Sequence, residues 1–107
     1  RQNFISYLTN TLSYPASLIA LEKEFRLGEL KKRFDILVYN QQHEPWLMVE
    51  CKGMDIELND AVLQQLLRYH ISLPVEYLVI TNGKHCYGFR KEKGQLVEIE
   101  ALPVMKK

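Results

Sequence analysis

The stretch that decides the fold is FDILVYNQQHEPWLMVECK, residues 34–52. It contains two runs rich in β-branched and aromatic residues, 34–39 and 46–51, and this composition is typical of β-strands. The residues between them, 40–45, are polar or turn-forming and predict an antiparallel hairpin. Because apolar side chains occupy consecutive positions in both runs, we expect both faces of these strands to be covered in the middle of a sheet.

The register of this hairpin predicts a cluster of charged side chains. The simplest register pairs Tyr39 with Trp46, and counting along the strands from that pair places Asp35 opposite Glu50. Two like charges directly opposite each other destabilise a sheet, and a bound divalent cation would remove the repulsion. Lys52 lies two positions beyond Glu50, so strand periodicity places its ammonium group on the same side as both carboxylates.

This combination of side chains fits the hydrolysis of a phosphodiester. That reaction uses a metal ion to polarise the phosphoryl oxygen and activate water, and a cation to stabilise the developing charge. Magnesium prefers oxygen ligands, and the backbone carbonyl of Cys51 can join the carboxylates of Asp35 and Glu50. We therefore expect an Mg²⁺ site, at which Mn²⁺ is an alternative ion. Glu-x-Lys also occurs by chance on exposed strands, and the apolar surroundings are what favour function here.

The remaining sequence predicts helices and further strands. Apolar spacing favours a helix over 2–12, and Asn59 is a candidate cap for a second helix over 60–72. The buried stripe expected on the second helix comprises Leu63, Leu66, Leu67 and Ile71. Strands are expected over 18–27, where 20–24 would also suit a helix, and over 76–81, 85–89 and 95–99. The strand-helix-strand order predicts parallel pairing, and hence an α/β fold with a central mixed sheet flanked by helices.

Length and composition indicate one folded domain over residues 1–107. Hydrophobic residues make up 47% and charged residues 25% of the chain, as in ordinary globular proteins. No apolar run approaches the roughly 20 residues that cross a bilayer, and no signal pattern is present, so we expect a cytoplasmic protein without membrane contact. The chain opens at Arg1 rather than methionine, which suggests either a trimmed chain or a piece of a longer polypeptide.

Charge and cysteine content exclude several classes of function. The net charge of +1 means that any contact with DNA must be local rather than carried by a strongly basic surface. Cys51 and Cys86 are interpreted as reduced, packed thiols. No glycine-rich phosphate loop is present, so this chain is not expected to drive translocation with ATP. His43, His70 and His85 are interpreted as structural, with His70 packed at the edge of its helix.

Four segments carry a resemblance to a known family: Arg33-Phe34-Asp35-Ile36, Val49-Glu50-Cys51-Lys52, Gln65-Leu66-Leu67-Arg68-Tyr69 and residues 77–83. Together they resemble the N-terminal nuclease domain of type I restriction enzyme R subunits, of the PD-(D/E)XK superfamily. The similarity spans nearly the whole chain. It implies a restriction-endonuclease-like fold and a metal-dependent endonuclease that acts on double-stranded DNA, with other domains or subunits of a restriction complex as partners.

The resemblance also implies roles for individual residues. Asp35 and the Glu50-x-Lys52 pair would hold the metal and activate water. Gln65 and Tyr69 lie one helical turn apart and could act as a pair. Gln65 would orient Lys52 or a DNA phosphate, and Tyr69 would support the site or touch substrate, while the alternative is an ordinary polar flank of an amphipathic helix. Of the remaining acidic residues, Glu22 is the expected additional metal ligand, with Glu24 as the alternative. Phe34 departs from the motif, in which a proline often precedes the aspartate.

A second function hypothesis comes from a different class. A nuclease-like fold that no longer cuts DNA would serve as a DNA-binding or assembly module within a larger protein. The near-neutral charge and the absence of an initial methionine favour this alternative. Binding of magnesium or manganese separates the two hypotheses, because only a retained catalytic site requires the metal.

Overall fold

A six-stranded mixed β-sheet forms the body of the computed structural model, which describes residues 5–27 and 30–103, with side chains described except at 23–27 and 30–33. The strands lie side by side in chain order. All neighbouring pairs are antiparallel except β3 and β4, which are parallel as predicted. The strands are β1 (Ile19–Leu27), β2 (Leu30–Tyr39), β3 (Pro45–Cys51), β4 (Tyr77–Thr81), β5 (Cys86–Glu92) and β6 (Gln95–Ile99).

The β2–β3 hairpin has the predicted partners in its middle but not at its turn. Leu37 pairs with Met48, as counting from the sequence requires. Tyr39 pairs with Pro45 rather than with Trp46, because the register shifts between Val38 and Tyr39. An extra residue of this kind is accommodated as a bulge, which bends the strand without altering the pairing beyond it. The prediction for the turn end was therefore wrong, while the register near the carboxylates was unaffected.

Both faces of β2 and β3 are buried, which confirms their predicted central position. On one face, Ile36, Val38, Leu47 and Val49 join a core cluster with Leu8, Leu12, Tyr14, Leu18 and Val79. On the other face, Leu37 and Met48 join Phe34, Leu58, Leu63, Leu73, Val75, Leu78, Ile80 and Phe89. Alternate side chains of a strand point to opposite faces, so the division over residues 36–38 and 47–49 follows directly from the sequence. Phe34 departs from this alternation, because it lies two positions before Ile36 yet packs in the second cluster.

Helical segments cover the two faces. The N-terminal segment includes a π-helical turn, Tyr7–Thr11, and its Leu8 is fully buried against the first cluster. The predicted start of this helix lies outside the described residues. Helix α1 (Asp60–His70) begins at Asn59, whose side-chain oxygen accepts a hydrogen bond from the N–H of Val62 at 2.9 Å, and it places Leu63 in the second cluster. Its last helical residue is His70 rather than the predicted Ser72.

Several smaller predictions are corrected by the structure. Strand β1 begins at Ile19, because Leu18 ends a short 3₁₀ turn, Ala16–Leu18. Cys51 and Cys86 are both reduced, but Cys86 is exposed and is not the packed thiol that was expected. Among the described residues, no helix is both long and apolar enough to span a lipid bilayer.

Candidate active site

Asp35 is anchored to the backbone of the neighbouring strand. Its Oδ2 atom accepts a hydrogen bond from the backbone N–H of Cys51 at 2.7 Å. Cys51 is the last residue of β3, and Asp35 precedes Ile36, whose partner on β3 is Val49. The structure thus brings Asp35 to the end of β3 that carries the Glu-x-Lys sequence.

Glu50 and Lys52 form the second part of the site. The Lys52 Nζ atom lies 3.3 Å from Glu50 Oε1, and the two side chains are 33% and 16% exposed. The backbone N–H of Lys52 donates to the carbonyl of Thr81 at 2.7 Å, which continues the parallel pairing of β3 with β4 past Cys51. The ammonium group therefore stands beside the carboxylate on a rigid part of the sheet.

The other oxygen of Glu50 is in contact with helix α1. Glu50 Oε2 makes a short contact with Nε2 of His70, whose side chain is almost fully buried. Burial by itself raises the pKa of Glu50, but the hydrogen bond and charge of His70, and then Lys52, outweigh it, so the pKa lies below its ordinary value. Glu50 is consequently held as a carboxylate between a lysine and a histidine.

Glu22 approaches the site through its backbone. Strands β1 and β2 pair Leu21 with Ile36 and Lys23 with Phe34, so the intervening position of Glu22 faces Asp35. Glu22 has a φ of 52°, a left-handed conformation that costs about 1 to 3 kcal/mol for a residue other than glycine. Its side chain is exposed. The side chain of Glu24, the alternative acid, lies outside the described part of the chain.

The predicted pair on helix α1 is only partly associated with these residues. Tyr69 is 55% exposed, and its ring stands edge-on to that of His70, with centroids 4.9 Å apart. Gln65 is exposed and lies in a shallow depression with Asp60 and Arg68, and its side chain makes no hydrogen bond with any described residue. The structure therefore does not join Gln65 to Lys52, and a role for Gln65 toward DNA stays a prediction.

His70 is the residue that the sequence interpretation missed. It was interpreted as packed at the edge of the helix, and its exposure of 2% agrees with that, but its contact with the central carboxylate of the site was not predicted. Its position contained the signal, because it follows Leu63 by about two helical turns and Leu66 by about one, on the apolar face. An imidazole on such a face needs a buried polar partner, and Glu50 is that partner.

The donor set fits a hard divalent cation. Among the side chains that the structure describes, at 5–22 and 34–103, no three or more histidines, cysteines, aspartates or glutamates are grouped closely enough to form a metal centre by themselves. Magnesium sites commonly use only one or two carboxylates and complete the shell with waters and substrate phosphate. Asp35 and Glu50, with the Cys51 carbonyl, supply such a set, and when bound the ion would polarise a phosphoryl oxygen and activate water.

The class of fold is defined by similarity to a solved structure. The chain resembles the structure of a fragment of a putative HsdR subunit of a type I restriction enzyme from Vibrio vulnificus YJ016. The TM-score is 0.60 at 18% sequence identity, and the match covers 94% of this chain and 22% of the other. This chain therefore has the α/β fold found in that protein, and spans about a fifth of its length.

The family follows from the sequence itself. The family model described as type I restriction enzyme R protein N terminus (HSDR_N) matches residues 1–103. The chain belongs to this family, which confirms the resemblance noted from its motifs. No curated protein matches the sequence.

Proposed function

We propose that this chain is the DNA-cleaving domain of a type I restriction R subunit and hydrolyses phosphodiester bonds with Mg²⁺ or Mn²⁺. The observation that carries the proposal is that Asp35, on β2, is hydrogen-bonded to Cys51 at the end of β3, the residue between the ion-paired Glu50 and Lys52. Membership in the R-protein family supports the restriction context. Double-stranded DNA and the other parts of a restriction complex are the proposed partners.

Each side chain has a role in this proposal that its position supports. Asp35 and Glu50 present carboxylate oxygens for the cation, while Lys52, one-third exposed beside Glu50, orients water or stabilises charge on the phosphoryl group. Tyr69 and Gln65 are on the exposed part of helix α1, where they are accessible to a DNA backbone. Glu22, facing Asp35 across β1 and β2, is the proposed additional acid.

The test is cleavage of supercoiled plasmid by the purified chain in the presence of Mg²⁺ or Mn²⁺. We expect nicking that is lost in Asp35→Ala and Lys52→Ala. Glu98→Gln and Lys93→Ala are matched controls, because they remove the same charges from exposed positions in β6 and in the turn before it. Equal nicking by the Asp35 and Lys52 variants would identify a contaminating nuclease and contradict the proposal.

A module that has lost cleavage is the second candidate, and two contacts favour it. His70 contacts Glu50 Oε2, Lys52 lies 3.3 Å from Glu50 Oε1, and the Cys51 N–H donates to Asp35 Oδ2, so both carboxylates already have partners within the protein. Calorimetric titration with Mn²⁺ distinguishes the two candidate functions even if an isolated domain binds DNA too weakly to cut it. Binding that disappears in Glu50→Gln supports the nuclease, whereas no binding in the presence or absence of DNA supports the silent module.

A further inference from the structure

We propose that His70 is a positioning residue of the candidate site, which holds Glu50 through Oε2 and leaves Oε1 as the oxygen available to a cation beside Lys52. The inference rests on the proposed function and adds a residue outside the Asp, Glu-x-Lys and Gln-x-x-x-Tyr motifs. It starts from a buried polar side chain that the sequence assigned to no role.

The burial of His70 requires a polar partner. Its residue exposure is 2%, and Nδ1 is buried without a hydrogen-bond partner among the described residues. Leaving a buried polar atom without a partner costs about 1 to 3 kcal/mol, so stability alone favours an apolar residue at this position of the helix face. The buried imidazole does make one polar contact, from Nε2 to Glu50 Oε2, and we infer that this contact is its role.

His70 is also held on a rigid element. It is the last residue of helix α1, and its carbonyl accepts a hydrogen bond from the N–H of Leu73 at 3.0 Å. Leu63 on the same helix and Leu73 beyond it both belong to the second core cluster. A helix fixed in this way can hold a flexible glutamate in one rotamer, and pre-organised ligands are what tight metal sites require.

The two oxygens of Glu50 are therefore divided between two partners. Oε2 faces His70, while Oε1 lies 3.3 Å from Lys52 Nζ on the partly exposed side. As long as the histidine contact persists, Glu50 offers a cation one oxygen rather than two. A hydrogen-bond partner of this kind fixes the orientation of a ligating carboxylate, and its loss typically weakens metal affinity by about 10- to 100-fold.

The experiment is Mn²⁺ binding to the whole chain, followed by calorimetry and by electron paramagnetic resonance of the bound ion. His70→Gln keeps an amide donor near the position of Nε2, whereas His70→Asn is too short to reach Glu50 and His70→Leu has no donor. We expect affinity to fall by about 10-fold or more in His70→Asn and His70→Leu, and to be largely retained in His70→Gln. Leu63→Val is the control for lost packing on the same helix and should bind Mn²⁺ like the unaltered chain.

The outcomes distinguish this inference from the proposed function. Unaltered or tighter binding in both His70→Asn and His70→Leu would overturn the positioning role while leaving a metal site in place. A parallel loss in Leu63→Val and His70→Gln would show that only helix packing matters, which also overturns it. If the unaltered chain binds no Mn²⁺, the proposed function itself fails and the role of His70 toward a cation fails with it.

Discussion

The carboxylate of Asp35 on β2 accepts a 2.7 Å hydrogen bond from the backbone N–H of Cys51 at the end of β3. This bond joins β2 to β3 at Cys51, the last residue of β3, which lies between Glu50 and Lys52. Through this bond Asp35 contributes to the stability of the fold, and that contribution can be measured separately from any role of Asp35 in binding a cation.

Substitutions of Asp35 are expected to separate these contributions. Asp35→Asn keeps an oxygen that can accept from Cys51, so the free energy of unfolding should change little while Mn²⁺ affinity falls. Asp35→Ala removes the acceptor and should destabilise the fold by about 1 to 3 kcal/mol. Urea denaturation measures the stability and calorimetry the metal affinity. Equal destabilisation by both substitutions would mean that the negative charge, not the hydrogen bond, matters at this position.

The Glu50 carboxylate should make stability dependent on acid. Its pKa is lowered in the folded protein from the ordinary 4.5, because His70 and Lys52 outweigh the effect of burial. The unfolded chain therefore takes up this proton more readily, and the stabilisation from Glu50 is present above pH 4.5 and is lost as the pH falls through the lower folded value.

Comparison with Glu50→Gln measures this dependence. The difference in unfolding free energy between the two proteins, from urea denaturation between about pH 7 and about pH 3, should shrink as acid is added. A difference that is constant with pH would show that the carboxylate gains nothing from His70 or Lys52 in the folded state.

Backbone strain at Glu22 predicts an unusual response to glycine. Glycine adopts a φ of 52° without steric cost, so Glu22→Gly should be neutral or stabilising by up to about 1 kcal/mol. The neighbouring Leu21→Gly should destabilise by about 0.5 to 1 kcal/mol, because ordinary strand positions gain nothing from glycine. Thermal unfolding of the two variants gives the comparison. If Glu22→Gly destabilises the fold more than Leu21→Gly does, the side chain of Glu22 stabilises the fold by more than its left-handed backbone destabilises it.

Asn82 is expected to be the most sensitive polar residue outside the candidate site. It is 3% exposed, its Oδ1 accepts from the N–H groups of Lys84 and His85 at 2.9 and 2.8 Å, and its Nδ2 donates to the carbonyl of Ile56 at 2.7 Å. Asn82→Ala leaves these three part-buried backbone groups without that partner. Because water can reach them in part, the loss should be about 2 to 4 kcal/mol, less than the sum of about 1 to 3 kcal/mol for each fully buried group.

Asn40→Ala is the matched control for Asn82. Its Oδ1 likewise accepts two backbone hydrogen bonds, from Gln42 and Glu44 at 2.9 Å each, but in an exposed turn where water can replace it. Urea denaturation should therefore show a loss of about 1 kcal/mol or less. A loss equal to that of Asn82→Ala would contradict the importance of burial.

The strand and helix pattern could be predicted because it depends on local spacing. Consecutive apolar residues in 34–39 and 46–51 indicated two central strands, and their alternation assigned Ile36 and Leu37 to the opposite faces on which they are found. The turn end was not predictable in the same way. Val38 pairs with Leu47 and Tyr39 with Pro45, so β3 has one extra residue there, and no pattern in the sequence indicates it. The sequence likewise did not predict the left-handed backbone of Glu22, which lies within β1.

The sequence by itself determined the α/β class, the family and the central position of the strands that carry Asp35 and Glu50, because strand periodicity and turn chemistry act over a few residues. Only the tertiary structure decided what each carboxylate contacts. The approach of His70 to Glu50 joins residues from a helix and a strand, and the bond from Cys51 to Asp35 joins two strands. Such contacts depend on how helix α1 packs against the sheet, which is fixed by the summed burial of many apolar side chains rather than by any local pattern.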